Sequence, residues 1–91
     1  MSTHGFKGPD ILCFGDCNVD LITPIEEIPV KGGCAFSSRL EVNIGGSMLN
    51  TAVALKKLDM PVSMLSKIGG DIFGNMTIDY LKGCKINTES V

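Results

Sequence analysis

Hydrophobic positions along this chain change their period from segment to segment, and each change marks an element. Ile11 to Phe14 is an unbroken apolar run closed by Gly15, the pattern of a short strand buried on both faces, as in a parallel sheet. The segment GDCNVD, Gly15 to Asp20, follows as a loop at the C-terminal end of that strand. Beyond it, Pro24, Pro29 and the Gly32–Gly33 pair allow at most an edge strand and a turn, because proline cannot donate to a central ladder. Leu40, Val42 and Ile44 then alternate with Arg39, Glu41 and Asn43, the period of a strand with one wet face. The span from about 21 to 44 therefore predicts a small, partly exposed antiparallel hairpin.

From Ser47 the period becomes helical. Met48, Leu49, Ala52, Val53, Leu55 and Leu58 form a wide apolar arc, and Asp59 and Pro61 end it, since proline disfavours helix in the residue before it. Val62 to Ile68 predicts the next strand, closed by Gly69–Gly70. Asp71 is expected to cap a second helix over 72–82, with Ile72, Phe73, Met76 and Tyr80 on one face and Leu81 at its edge. Gly83 stands where a left-handed C′ glycine is expected. The remaining CKINTESV begins another extended stretch. Strand, hairpin insertion, helix, strand and helix in this order predict a right-handed βαβ unit carrying a flap.

Composition narrows the function classes. At 91 residues, 44% hydrophobic and 20% charged, the chain is a single small domain that buries roughly 60–65% of its unfolded surface. Net charge is −2, and Lys56–Lys57 is the densest basic point, which disfavours nucleic acid as a partner. No apolar run approaches the roughly 18 residues of a membrane span, and the start, MSTHGFKGPD, lacks the apolar core of a secretory signal. Residues 1–10 are expected to be a disordered tail, His4 among them. Cys13, Cys17, Cys34 and Cys84 include no CxxC pair and are expected to be reduced thiols in a cytoplasmic protein. One histidine gives zinc little to bind to.

Two stretches carry candidate chemistry. In GDCNVD, Asn18 and Asp20 are two residues apart, so extended backbone points both side chains the same way. An amide and a carboxylate converging on one spot suit hydroxyl groups; an Asx-type turn satisfying its own backbone is the competing reading. In NIGGSMLN, Gly45 and Gly46 permit close backbone approach, and the helix beyond offers open N–H groups. The competing reading is a helix capped by Ser47, with Asn50 solvated in its first turn. The later IGGDIFG reads as a strand-to-helix turn with Asp71 as cap. Neither GxxxxGK[ST] nor a GxGxxG between strand and helix occurs, so these elements do not bind a nucleotide by those means.

Taken together, GDCNVDLI after the first strand, the Gly32–Gly33 turn, GGSMLNTAVALKKL and KIGGDIFGNMTIDYLK resemble the N-terminal part of the ribokinase-like (PfkB-type) carbohydrate kinases. The resemblance runs from about Ile11 to Val91. It implies an open α/β sheet beneath a small β-lid, the lid being the 21–44 hairpin, and transfer of the γ-phosphoryl of ATP, with Mg2+, to a hydroxyl of a sugar or related molecule. By resemblance, Asn18 and Asp20 hydrogen-bond the acceptor's hydroxyls, and Gly45, Gly46 and Asn50 line the same pocket. Closure of the lid would exclude water from the reaction. Met48 stands where the family signature has a small residue or proline, Asp59 where it has glycine or serine, and Ser47 where ribokinase itself carries lysine.

The resemblance also implies what is missing. The family's catalytic base and anion hole lie in a Gly-Ala-Gly-Asp segment, and none occurs here. Phosphoryl transfer depends on positioning and charge stabilisation, so the chain is expected to be an N-terminal fragment or truncated product, inactive alone, with no catalytic, ATP-binding or metal-binding residues of its own. Two further readings are kept: a non-catalytic interaction module that forms a lid-mediated homodimer through Leu40, Val42 and Ile44, and a fragment of a nucleoside kinase.

Overall fold

Seven elements follow one another: β1 (Ile11–Phe14), β2 (Asn18–Ile22), β3 (Glu41–Gly45), α1 (Ser47–Lys57), β4 (Val62–Leu65), α2 (Ile72–Gly83) and β5 (Asn87–Ser90). The structure, a computed structural model, describes residues 11–91; the tail expected to be disordered at 1–10 lies outside the described residues. β1, β4 and β5 form a parallel sheet in the order β1-β4-β5, and β2 and β3 form a separate antiparallel ladder. The hydrophobic periods predict this βαβ order with its hairpin insertion, and the open α/β sheet with a β-lid is the arrangement that the resemblance implies.

Burial alternates along β1. Cys13 is buried in a core with Leu49, Ala52, Val53, Val62, Met64, Leu81 and Ile86. Leu12 and Phe14 point the other way and stay 56% and 71% exposed. The expectation that this strand is buried on both faces is not met. The reason is topological: α1 and α2 contribute Leu49 and Leu81 to one shared core, so both helices cover the same face of the sheet. In that apolar setting the Cys13 thiol is pushed up from its ordinary pKa by burial, which makes it a packing residue rather than a nucleophile.

The second helix turns a different face inward than its largest residues suggest. Gly74, Thr77 and Leu81 are buried, while Ile72, Phe73 and Tyr80 are exposed. Asp71 caps the helix as expected, its Oδ1 accepting from the Gly74 N–H at 2.9 Å. That first turn runs so close to the preceding loop that a Cβ on Gly74 would overlap the Gly69 carbonyl oxygen. Thr77 tolerates burial because its hydroxyl donates to the Phe73 carbonyl at 2.9 Å. Close approach of the backbones thus decides the orientation, and the helical arc of Ile72, Phe73 and Tyr80 is left facing outward.

Both helices end in the same way. The Met60 N–H donates to the Leu55 carbonyl and the Asp59 N–H to Lys56; at the end of α2 the Ile86 N–H reaches Leu81 and the Lys85 N–H reaches Lys82. These are Schellman motifs, and the residues at their left-handed C′ positions are Asp59 (φ 66) and Lys85 (φ 61). Gly83, expected at that position, is instead the last helical residue. The turn falls two residues later because Ile86 must reach the core beside Leu81.

Between Ile22 and Glu41 the chain forms no regular element. The Thr23 hydroxyl donates to the Arg39 carbonyl at 2.8 Å, pinning the neck of this loop, and the Arg39 guanidinium pairs with Glu41 at 3.0 Å. The lid projects from the sheet, giving a molecule 59 Å long but only 27 by 19 Å across.

A non-glycine residue in the left-handed region costs roughly 1–2 kcal/mol, partly offset by the greater entropy that glycine loses on folding. Asp59→Gly and Lys85→Gly should each stabilise the chain by about 1 kcal/mol in urea titrations, without changing the slope. Gly74→Ala should destabilise it by about 1–3 kcal/mol through overpacking, seen as a lower midpoint in the same titrations.

Candidate functional site

The residues with the strongest chemical signal gather at the root of the lid. Asn18 opens β2 and pairs with Gly45, and Asp20 pairs with Asn43 two positions along the ladder. GDCNVD is therefore only half a loop: from Asn18 onward it is strand. Asn18 and Asp20 share one face of β2, as two-residue spacing in extended backbone requires. The Asp20 Oδ2 lies 3.7 Å from the point where a Gly45 Cβ would stand. The carboxylate thus leans over the buried glycine that leads into α1, while Asn18 and Asp20 themselves remain exposed.

The start of α1 is capped by backbone, not by a side chain. Gly46 is the N-cap at φ 114, no side-chain cap hydrogen bond forms, and Ser47 is the first helical residue rather than the expected cap. The Leu49 N–H donates instead to the carbonyl of Asp16 at 3.2 Å. This crossing needs glycine at position 46 for two reasons: the backbone is left-handed, and a Cβ would stand 2.6 Å from the Asp16 carbonyl oxygen. Among the described residues, the N–H groups of Ser47 and Met48 meet no hydrogen-bond partner. The Asn50 N–H donates to the Gly46 carbonyl at 2.9 Å, and its side chain is exposed one turn into the helix.

Met48 is half-buried against the core and covers Gly15, where a Cβ would lie 2.8 Å from the Met48 Cβ and Cγ. Gly15 in turn lines an open cleft of about 550 Å³ between the C-terminal ends of β1 and β4, with Asp16, Cys17, Asn18, Ser66 and Lys67 around it. A smaller neighbour of about 250 Å³ lies toward the start of α2 and shares Cys17 and Lys67. Of the residues singled out in the sequence, Asn18 lines the larger cleft; Asp20, Gly45, Gly46 and Asn50 stand outside both. Asn18, Asp20, Gly45 and Gly46 nevertheless form one continuous patch at the lid root.

Lys67 and Ser66 are rim residues that the sequence hides. The apolar pattern extends the fourth strand to Ile68 and so places Lys67 inside it, whereas β4 stops at Leu65. The discoverable signal is topological: in open parallel sheets, ligands bind beyond the carboxyl ends of the strands. Among the described residues, no group of three or more His, Cys, Asp or Glu side chains converges as a metal site, and no helix is long and apolar enough to cross a membrane. All four cysteines are free.

Residues 9–91 match the family model described as pfkB family carbohydrate kinase. The deoxyribokinase of Salmonella typhimurium is 40% identical over 82 residues, which cover 90% of this chain and 27% of that protein. Among solved structures, Arabidopsis thaliana ribokinase complexed with ribose and ATP superposes with a TM-score of 0.83 at 25% identity, over 93% of this chain and 28% of that one. The nucleoside kinase of Methanocaldococcus jannaschii superposes at 0.79 with 31% identity, over 89% of this chain and 27% of its own. The chain spans about a quarter of the length of the relatives it matches.

The crossing of Gly46 over Asp16 generates a sharp expectation. Gly46→Ala should lower stability by about 1–3 kcal/mol through steric overlap and displace the Asn18–Gly45 pair. Amide exchange at Leu49 and along β2 would report it; unchanged protection at those amides would contradict the role given to this contact.

Proposed function

Because the chain belongs to the pfkB family of carbohydrate kinases, we propose that it supplies the acceptor-binding residues and the lid of an ATP-dependent small-molecule kinase. The observation that carries this reading is the placement of Asn18 opposite Gly45 in the ladder, with the Asp20 carboxylate leaning over that glycine, beside the open N–H groups at the start of α1. A sugar presents vicinal hydroxyls that both donate and accept. The Asp20 carboxylate accepts from two of them, the Asn18 amide does both, and the Ser47 and Met48 N–H groups donate. Gly45 and Gly46 leave room for the ligand to lie against backbone, and Asn50 adds a second amide at the helix end. The acceptor is a sugar or related hydroxyl compound, and the four free thiols favour a cytoplasmic setting.

ATP and Mg2+ enter as the phosphoryl donor of the whole enzyme. The described residues offer them neither a GxxxxGK[ST] run nor a converging cluster of three or more acidic, His or Cys side chains. On this reading the chain binds and orients the acceptor, and covers it. The lid is rooted on the same residues that hold the acceptor, so closing it over the ligand expels water where the hydroxyl must react.

A second reading, a lid-mediated homodimer, is favoured by one observation. Leu21 and Val42 pair on the face of the ladder opposite Asp20, and Leu21 and Leu40 are 52% and 60% exposed. Light scattering behind size exclusion tests it: a strict monomer at high concentration rejects it.

In an enzyme carrying this segment at full family length, Asp20→Ala should weaken acceptor binding by about 10- to 100-fold, the loss of hydrogen bonds to a charged group. Affinity for ATP should be nearly unchanged. Calorimetric titration with ribose, fructose, adenosine and ATP separates the two, and equal losses for acceptor and ATP would reject the role given to Asp20.

A further inference from the structure

Lys67 lines both clefts at the carboxyl edge of the sheet, and it is the only cationic residue that does so among the described residues. Its position is set by the ladder. β4 runs parallel to β1 with Leu65 opposite Phe14, and the Gly15 N–H donates to the Leu65 carbonyl at 3.2 Å. Ser66 and Lys67 therefore leave the sheet alongside Gly15, Asp16 and Cys17, on the rim that also carries Asn18. Among the described residues Lys67 enters no ion pair, and the one that forms joins Arg39 to Glu41 far out on the lid. The nearby α2 N-terminus cannot take an anion in its place, because the Asp71 carboxylate already accepts from the Gly74 N–H there.

Neutral hydroxyls have all the donors and acceptors they need from Asn18, Asp20 and the open N–H groups of α1. Lys67, which forms no ion pair although Asp16 lines the larger cleft and Asp71 the smaller, adds one thing to that set, a positive charge. Building on the acceptor-binding reading above, we propose that Lys67 is a specificity-determining residue that receives an oxyanion, a phosphate or phosphate ester, in the cleft between β1 and β4. The oxyanion has two possible sources: a phosphate ester carried by the acceptor, or a free or transferring phosphoryl group. In both, the ammonium donates charge-assisted hydrogen bonds that neutral sugars do not recruit. Asp16, which faces the same cleft, disfavours an anion left uncompensated there and so sharpens the dependence on Lys67.

Titration of the chain with inorganic phosphate, ribose 5-phosphate and ribose, followed by calorimetry and amide shifts, tests this in the wild type, Lys67→Met and Lys67→Arg. Lys67→Met should weaken both phosphate ligands by about tenfold or more, leave ribose within about twofold, and melt at the wild-type temperature; Lys67→Arg should restore phosphate binding. Ribose 5-phosphate binding more tightly than phosphate or ribose alone assigns the oxyanion to the acceptor. Equal affinity for ribose 5-phosphate and phosphate assigns it to the free or transferred group, and either result upholds the lysine's role. Phosphate binding that is absent in the wild type, or unchanged in Lys67→Met, overturns the proposal while leaving sugar binding as evidence for the acceptor site. Conversely, phosphate binding that depends on Lys67 without any ribose binding would reject the acceptor reading and keep the oxyanion site.

Discussion

The contact on which the rest depends is the crossing of two backbones, where the Leu49 N–H donates to the Asp16 carbonyl over Gly46. Asp16 lies just beyond β1, and Leu49 is both a first-turn residue of α1 and a buried member of the core. One hydrogen bond thus ties sheet, helix and lid root together. It holds only because position 46 has no side chain, a Cβ there falling well inside the contact distance of the Asp16 carbonyl. The helix receives its cap from the loop it has to hold, and the N–H groups of Ser47 and Met48 meet no partner among the described residues. A side-chain cap at Ser47 would have stabilised the helix and occupied donors at the site.

Much of this was legible in the residues. Periods of two and 3.6 located the strands and helices because they report which positions are buried, and burial drives folding. Asp71 was legible as a cap because only a short acceptor side chain reaches the third N–H of a helix. The orientation of α2 was not legible: the helix offers two arcs, and the choice between them is made by how closely Gly74 approaches Gly69, a distance that no single-segment pattern contains. The end of β4 was hidden for a similar reason, since apolar residues continue to Ile68 although hydrogen bonding stops at Leu65. At the site, the spacing of Asn18 and Asp20 announced a shared face, but the antiparallel pairing that sets Gly45 beside Asn18 and within reach of the Asp20 carboxylate is a long-range fact. Lys67 carried no signal at all until the parallel register put it beside Asp16.

The two faces of the central sheet differ sharply. One carries both helices and the whole core; the other leaves Leu12 and Phe14 in water, alongside the open edge of β1. The clefts open at the rim where the two faces meet, with apolar surface on one side and polar groups on the other.

The insertion of the lid has a kinetic consequence. Ile11 pairs with Val62, so the first parallel contact closes a loop of about fifty residues, roughly twice the length of a simple strand–helix–strand crossover. Loop-closure entropy grows only logarithmically, so the extra length adds about 0.6 kcal/mol per doubling. The rate is affected more, because non-local pairing must wait for a diffusive search that local pairing avoids. The β2–β3 ladder and α1 are contiguous in sequence and close far shorter loops, so they are placed to form first. Folding would then run from the β2–β3 hairpin inward, with the parallel sheet assembled last.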